Sequence, residues 1–144
     1  VERFLTRIGL SDENAPHELV SLFTEKKVVG GDILFNYNDP AEELFFLIEG
    51  HLAVHKYTGF LEKTQVIALI DPGAIVGECA ILQQHKRSTR VTAIQDSKLL
   101  CLTKNNFVKF QEAFPEIANA ILQYLLSIVS LRLEKTSERL ARIL

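Results

Sequence analysis

The stretch Asp71-Pro72-Gly73-Ala74-Ile75-Val76-Gly77-Glu78-Cys79-Ala80-Ile81-Leu82, followed by Gln83-Gln84-His85-Lys86-Arg87-Ser88-Thr89-Arg90-Val91, concentrates residue types that can grip an oxyanion. Arg87 can fork two donors onto a pair of anion oxygens, a geometry that the point charge of a lysine does not reproduce. Ser88 can add a hydroxyl donor. A short helix starting near Glu78 would turn unpaired N–H groups, such as those of Cys79 and Ala80, toward the same anion. Gly77 would let backbone approach closely, and Ala80 would keep bulk away. Taken singly, Glu78 also reads as a solvated acid at a helix start and Arg87 as a loop charge between Lys86 and Arg90. Their joint spacing with Pro72, Gly73, Gly77 and Ala80 favours a site.

Other reactive residue types do not converge. His51 and His55 stand four apart on a strand that rises about 3.3 Å per residue, so they are roughly 13 Å apart, too far for one ion with bonds near 2 Å. His17 and His85 read as solvated, and no Ser-His-Asp spacing stands out. No metal site is expected. Cys79 and Cys101 lack CxxC spacing and lie in apolar or helix-forming runs, which predicts buried thiols in a reducing, cytoplasmic compartment.

Several short β-rich runs surround this segment: Val28-Val29, Asp32 to Tyr37, Leu44 to Ile48, Leu52 to Lys56, Gln65 to Ile70, Val91 to Ile94 and Lys98 to Leu102. Turn residues separate them at Gly30-Gly31, Asn38-Asp39-Pro40, Glu49-Gly50, Thr58-Gly59 and Asp71-Pro72-Gly73. This spacing predicts an antiparallel β-barrel or jelly roll over residues 27–103. Phe4, Leu5, Ile8, Leu19, Leu22 and Phe23 recur at helical intervals, predicting short helices within residues 1–26 punctuated by Ser11 and Pro16. Helical patterning returns over 104–144, first from Asn105 to Phe114, then from Pro115 to Leu144. The chain of 144 residues, 47% hydrophobic and 24% charged, fits a single domain over 1–144, mainly β with flanking helices. Its formal charge of -2 supplies no basic face for nucleic acid, so no direct nucleic-acid binding is expected of this segment.

Along the last helix, Leu122, Leu125, Val129, Leu133, Thr136, Leu140 and Ile143 recur every three or four residues, and Ile121, Ile128 and Leu131 widen the apolar surface. One barrel face cannot bury all of it. The pattern predicts the barrel on one side and a second copy of the helix on the other, giving a homodimer; a single wide face folded onto its own barrel is the alternative. The run Ala120 to Leu133 is interrupted by Gln123, Ser127, Ser130 and Arg132 and reads as a packing helix, too short to span a bilayer, which takes roughly 20 apolar residues. Arg139 to Leu144 keep helical spacing without a Gly or Asn stop, and no Met occurs, which together suggest an excised piece of a longer protein.

The P-G, G-E-x-A and later Arg of residues 72–91 resemble the phosphate-binding cassette of the cyclic-nucleotide-binding domain family, whose members include catabolite activator proteins, kinase regulatory subunits and gated channels. Leu34-Phe35, Asp39-Pro40-Ala41, Leu44-Phe45-Phe46-Leu47 and Gly50 are similar to the family's early-strand pattern. Lys86 and Arg90 depart from it, with Arg90 expected to face solvent or to compete with Arg87 for a carboxylate. The resemblance implies a regulatory sensor without catalysis, whose ligand is cyclic AMP or, alternatively, cyclic GMP, with no further cofactor. It implies that Glu78 holds the ribose 2′-hydroxyl in a charge-assisted hydrogen bond. Arg87 and Ser88 would hold the cyclic phosphate, with the backbone at Gly77, Cys79 and Ala80 assisting. By strand alternation Val54, Ile67, Leu69 and Val91 are candidates to pack the base from the barrel interior. By resemblance Thr136 would meet the base within its own subunit and Ser137 would reach across from a partner, so that binding repacks the last helix. A dimerisation or protein-binding module of the same fold, without a nucleotide, is the competing expectation.

Overall fold

The computed structural model describes residues 1–9, 17–59, 63–82 and 86–144. Helices α1 (Glu2–Arg7) and α2 (His17–Val20) precede strands β1 (Thr24–Val28), β2 (Ile33–Phe35), β3 (Glu43–Glu49), β4 (Leu52–Tyr57), β5 (Thr64–Ile70), β6 (Ile75–Val76), β7 (Arg90–Ala93) and β8 (Ser97–Thr103). A 3-10 turn over Glu78–Ile81 follows β6, and helices α3 (Lys104–Ala113) and α4 (Pro115–Ile143) follow β8.

The side-chain alternation of β3 and β8 builds three layers. Leu44 and Phe46 of β3 and Leu100 and Leu102 of β8 pack with Phe4, Leu19, Phe110 and Ile121 of the helices. Their neighbours Phe45, Leu47, Leu99 and Cys101 face the other way, against Phe35, Leu52, Ile70 and Val91 of the second sheet. Because both faces of β3 and β8 are covered, these strands read as continuous apolar runs.

The strands form two four-stranded antiparallel sheets, ordered β1-β8-β3-β6 and β2-β7-β4-β5. Their edges do not pair across, so the fold is a two-sheet jelly roll and not a closed barrel. Alternation alone does not separate the two forms, because both bury one side-chain face per strand.

Two strands depart from the reading of the sequence. Thr24–Val28 is a strand where a helical segment to residue 26 is predicted, paired with β8 from Thr24↔Cys101 to Val28↔Ser97. As an edge strand it exposes Thr24 to Lys27 and buries only Val28, so it carries little apolar signal. β6 is two residues long and pairs Ile75 with Phe46 and Val76 with Phe45, which fixes the entry to the oxyanion segment. Ser11 and Pro16 lie outside the described residues.

Local chemistry sets the helix starts. The Thr103 hydroxyl accepts the Asn106 N–H at 3.1 Å and caps α3, and Pro115 opens α4 where no N–H is needed. Ala118, Ile121 and Leu125 bury the inner face of α4, whereas Leu122, Leu126, Val129, Leu133 and Leu140 are exposed. Leu125 therefore belongs to the inner face, and Leu126 takes its place in the outer stripe. By length and composition alone, with a mean hydropathy of 1.2, α4 is long and apolar enough to cross a bilayer, against the expectation from its interrupting polar residues. Its inner face is instead part of the helix–sheet core.

Candidate functional site

After β6 the chain turns at Gly77, whose φ of 74° is left-handed. A Cβ there would stand 2.5 Å from Nη1 of Arg87, so glycine is required both for the backbone and for the space. The group that approaches Gly77 is thus the guanidinium of this protein's own Arg87.

Arg87 is 3% exposed. Its Nη1 donates to the Gly77 carbonyl at 3.1 Å and its Nη2 to the Glu43 carbonyl at 2.5 Å. The guanidinium carbon lies 4.0 Å from the Phe35 ring centroid, a cation–π contact. The Nε has no hydrogen-bond partner among the described residues. Burial lowers the Arg87 pKa from its ordinary value, and Cys79, Glu43 and Glu78 act against that shift. The backbone is held as firmly: the Arg87 N–H donates to the Asp39 carbonyl at 2.8 Å, and the Asn38 N–H donates to the Arg87 carbonyl at 2.9 Å. The β2–β3 turn therefore helps set the position of Arg87 from elsewhere in the chain.

Glu78 opens the 3-10 turn, and its Oε1 accepts Nη1 of Arg132 at 2.9 Å. Nη2 of Arg132 donates to the Ile75 carbonyl. One α4 side chain thereby ties the helix to both ends of the Ile75–Glu78 segment. Farther along, the Thr136 hydroxyl donates to the Arg132 carbonyl at 2.8 Å, one turn back in its own helix.

These elements enclose a cavity of about 480 Å³, within the usual range of small-molecule sites. Its wall includes Val54, Ile67, Leu69 and Val91 from the second sheet, Gly77, Glu78 and Cys79 from the turn, and Arg87 and Ser88. Arg132, Lys135, Thr136 and Arg139 close it from α4. Ten of the twelve residues singled out from the sequence line this one space.

Ala80 and Ser137 do not line it. Ala80 is fully buried, and its N–H donates to the Gly77 carbonyl at 3.1 Å, so it does not face the cavity as an anion donor. Ser137 lies on the opposite side of α4, in a shallow groove with Ser130, Leu133, Glu134, Glu138 and Ala141. Ile67 and Leu69 border the cavity from an exposed edge strand, at 47% and 66% exposure, and not from an enclosed interior. A register shift opposite Val54 and His55 makes Ile67 the extra residue of a bulge, which breaks the alternation and brings consecutive residues 67–70 to the cavity.

The remaining candidates find local partners. Arg90 donates from Nε to Asn36 Oδ1 at 3.0 Å and from Nη2 to the Tyr57 hydroxyl at 3.1 Å. It neither faces bulk water freely nor competes for a carboxylate. His51 pairs with Asp71 at 2.9 Å and His55 with the Thr92 hydroxyl at 2.9 Å, and no cluster of metal-ligating side chains occurs among the described residues. Cys79 is partly exposed, against the expectation of two buried thiols, and Cys101 is buried. Gln83, Gln84 and His85 lie outside the described residues.

Phe35, Arg132, Lys135 and Arg139 are cavity residues that the sequence did not single out. Arg132 and Arg139 were within reach of helical spacing, since they fall four before and three after Thr136. Phe35 carried no such signal.

The profile of the cyclic nucleotide-binding domain matches residues 25–114. The chain belongs to the cyclic nucleotide-binding domain family. It is 27% identical over 109 residues to the cyclic AMP receptor protein of Thermus thermophilus, covering 73% of this chain and 50% of that protein. Over 126 residues it is 27% identical to a cGMP-dependent protein kinase of Caenorhabditis briggsae, covering 88% of this chain and 16% of the kinase. The chain thus spans half or less of the length of these relatives. A cyclic nucleotide-binding domain from Methylobacillus flagellatus has the same fold, with a TM-score of 0.86 at 22% identity, over 96% of this chain and 80% of that one. Helix α4 follows the matched residues directly.

Proposed function

We propose that this domain is a regulatory sensor that binds a cyclic nucleotide, with cyclic AMP favoured, and that it has no catalytic activity of its own. The observation that carries this reading is a buried guanidinium, Arg87, lining a cavity that also presents a carboxylate, Glu78. A cyclic nucleotide offers one phosphate charge and one free 2′-hydroxyl, and each would meet its complement here. Its phosphate draws on Nε and on the Nη donors of Arg87 that otherwise serve the Gly77 and Glu43 carbonyls, with Ser88 and the Cys79 backbone beside them. The base packs on Val54, Ile67, Leu69 and Val91 below Thr136.

Coupling follows from the shared carboxylate. Glu78 serves Arg132 of α4, so a ribose hydroxyl at Glu78 changes what holds the helix. A ligand that favours one packing of α4 shifts the population by its differential affinity for the two. The exposed stripe Leu122, Leu126, Val129, Leu133, Leu140 and Ile143 supports a parallel pairing with a second copy, which places Ser137 beside the partner. This chain is then the input part of a larger cytoplasmic signalling or transcription-regulating protein.

Calorimetric titration with cyclic AMP and cyclic GMP tests the reading. Saturable binding of cyclic AMP, tighter than that of cyclic GMP, is expected; absence of heat with either nucleotide, from a protein that melts cooperatively, contradicts it. The same exposed stripe favours a second reading, a pairing module whose cavity holds no nucleotide. That reading gains if no cyclic nucleotide raises the melting temperature while the domain still dimerises.

A further inference from the structure

The binding scheme leaves the thiol of Cys79 without a task. It is partly exposed and lines the same cavity as Glu78 and Arg87. A second observation concerns Arg87 itself, which is 3% exposed and keeps an Nε without a hydrogen-bond partner among the described residues. The thiol and this buried cation thus line one cavity. Arg132, Lys135 and Arg139 add three further cations to the cavity wall, against Glu78 as the one acid lining it among the described residues. An anionic group attached to this sulfur would find compensating charge that few surface thiols have.

We propose that Cys79 is a thiol modification site for small anionic disulfides, and that the mixed disulfide formed there excludes the cyclic nucleotide. In the step, the Cys79 thiolate attacks one sulfur of the reagent disulfide, its own proton having gone to solvent. The reagent S–S bond breaks, a new S–S bond joins Cys79 to one half, and the other half leaves as a thiolate. Cys79 is oxidised and the departing half is reduced. The attached half occupies the space between Arg87 and α4 that the nucleotide needs, so the gating rests on the reading above. Cys101 is the internal control, being 1% exposed with its thiol pushed up to about 11 by burial, and thiolate is the reacting form.

The probe is glutathione disulfide, with peptide mass spectrometry to locate the adduct and calorimetry to read cyclic AMP binding before and after. The expected result is an adduct on Cys79 and none on Cys101, slowed at least tenfold by saturating cyclic AMP. Affinity of the modified protein falls at least tenfold and returns with dithiothreitol. Cys79→Ser takes up no adduct, and whatever affinity it has does not change on treatment. An adduct absent from Cys79, or an adduct that leaves affinity unchanged, overturns the proposal. If the reduced protein binds neither nucleotide although Cys79 is modified, the sensor reading fails and the gating fails with it.

Discussion

Arg87 serves the fold as well as the site. Its Nη donors satisfy two carbonyls from different elements, Gly77 and Glu43, so removing it leaves buried acceptors open. Arg87→Ala is therefore expected to lower unfolding stability in urea by about 2–3 kcal/mol, the scale of charge-assisted bonds. The same variant should weaken cyclic AMP binding at least tenfold, about 1.4 kcal/mol. Unchanged stability would mean that the two carbonyls find other donors. Cys101 gives a pH test. Burial raises its pKa from 9.0 to about 11, so its neutral thiol favours the folded state fully below pH 9, and that contribution is lost as pH rises toward 11. Over that window the stability advantage of wild type over Cys101→Ala, from urea denaturation, should shrink by roughly 2–3 kcal/mol; a constant difference contradicts the assignment. At this scale much of the cavity lining was legible, because Gly77, Glu78, Cys79, Arg87 and Ser88 fall in one segment whose joint spacing isolated loop charges do not explain. Phe35 was not, since an aromatic residue on a strand reads as core whether or not a cation rests on it. Ala80 was misread because the 3-10 turn uses its N–H internally.

At the scale of elements, Arg132 is what joins α4 to the Ile75–Glu78 segment. The Glu78–Arg132 pair is partly exposed, with side chains 29% and 40% accessible, so it contributes little to global stability, on the order of 1 kcal/mol or less. Its effect is local. The inner face of α4 is buried at Ala118, Ile121 and Leu125, and every residue from Leu133 to Leu144 is exposed. Amide hydrogen exchange of the isolated protomer should be slow over residues 117–128 and fast over 134–144. Arg132→Ala should extend the fast region toward residue 128 without a matching drop in global stability. Equal protection along the whole helix would show that Arg132 is not its last anchor. The helix and its start at Pro115 were readable from spacing and proline. Its exact inner face was not, because the apolar surface is wide enough for Leu125 and Leu126 to exchange roles in a pattern. The bulge at Ile67 was hidden for a related reason: Val66 to Ile70 is apolar throughout, so parity leaves no mark.

For the molecule as a whole, the order of helices, β unit and helices was evident in the switch from helical to short-strand patterning. The two-sheet form and edge strand β1 depend on long-range pairing, which local periodicity does not encode. The outer stripe of α4 gives a prediction at this scale. Wild type should sediment as a dimer at micromolar concentration, and the double variant Leu126→Glu, Leu133→Glu as a monomer with an unchanged fold, since like charges replace apolar contacts in the seam. A monomeric wild type would restrict α4 to its own subunit. The central claim, that one buried guanidinium and one carboxylate receive a cyclic nucleotide, is tested most directly by a crystal structure with cyclic AMP. The account predicts Arg87 within hydrogen-bond distance of the phosphate oxygens, Glu78 on the 2′-hydroxyl and Thr136 over the base. A nucleotide bound elsewhere, or bound in the cavity with its phosphate away from Arg87, would contradict it.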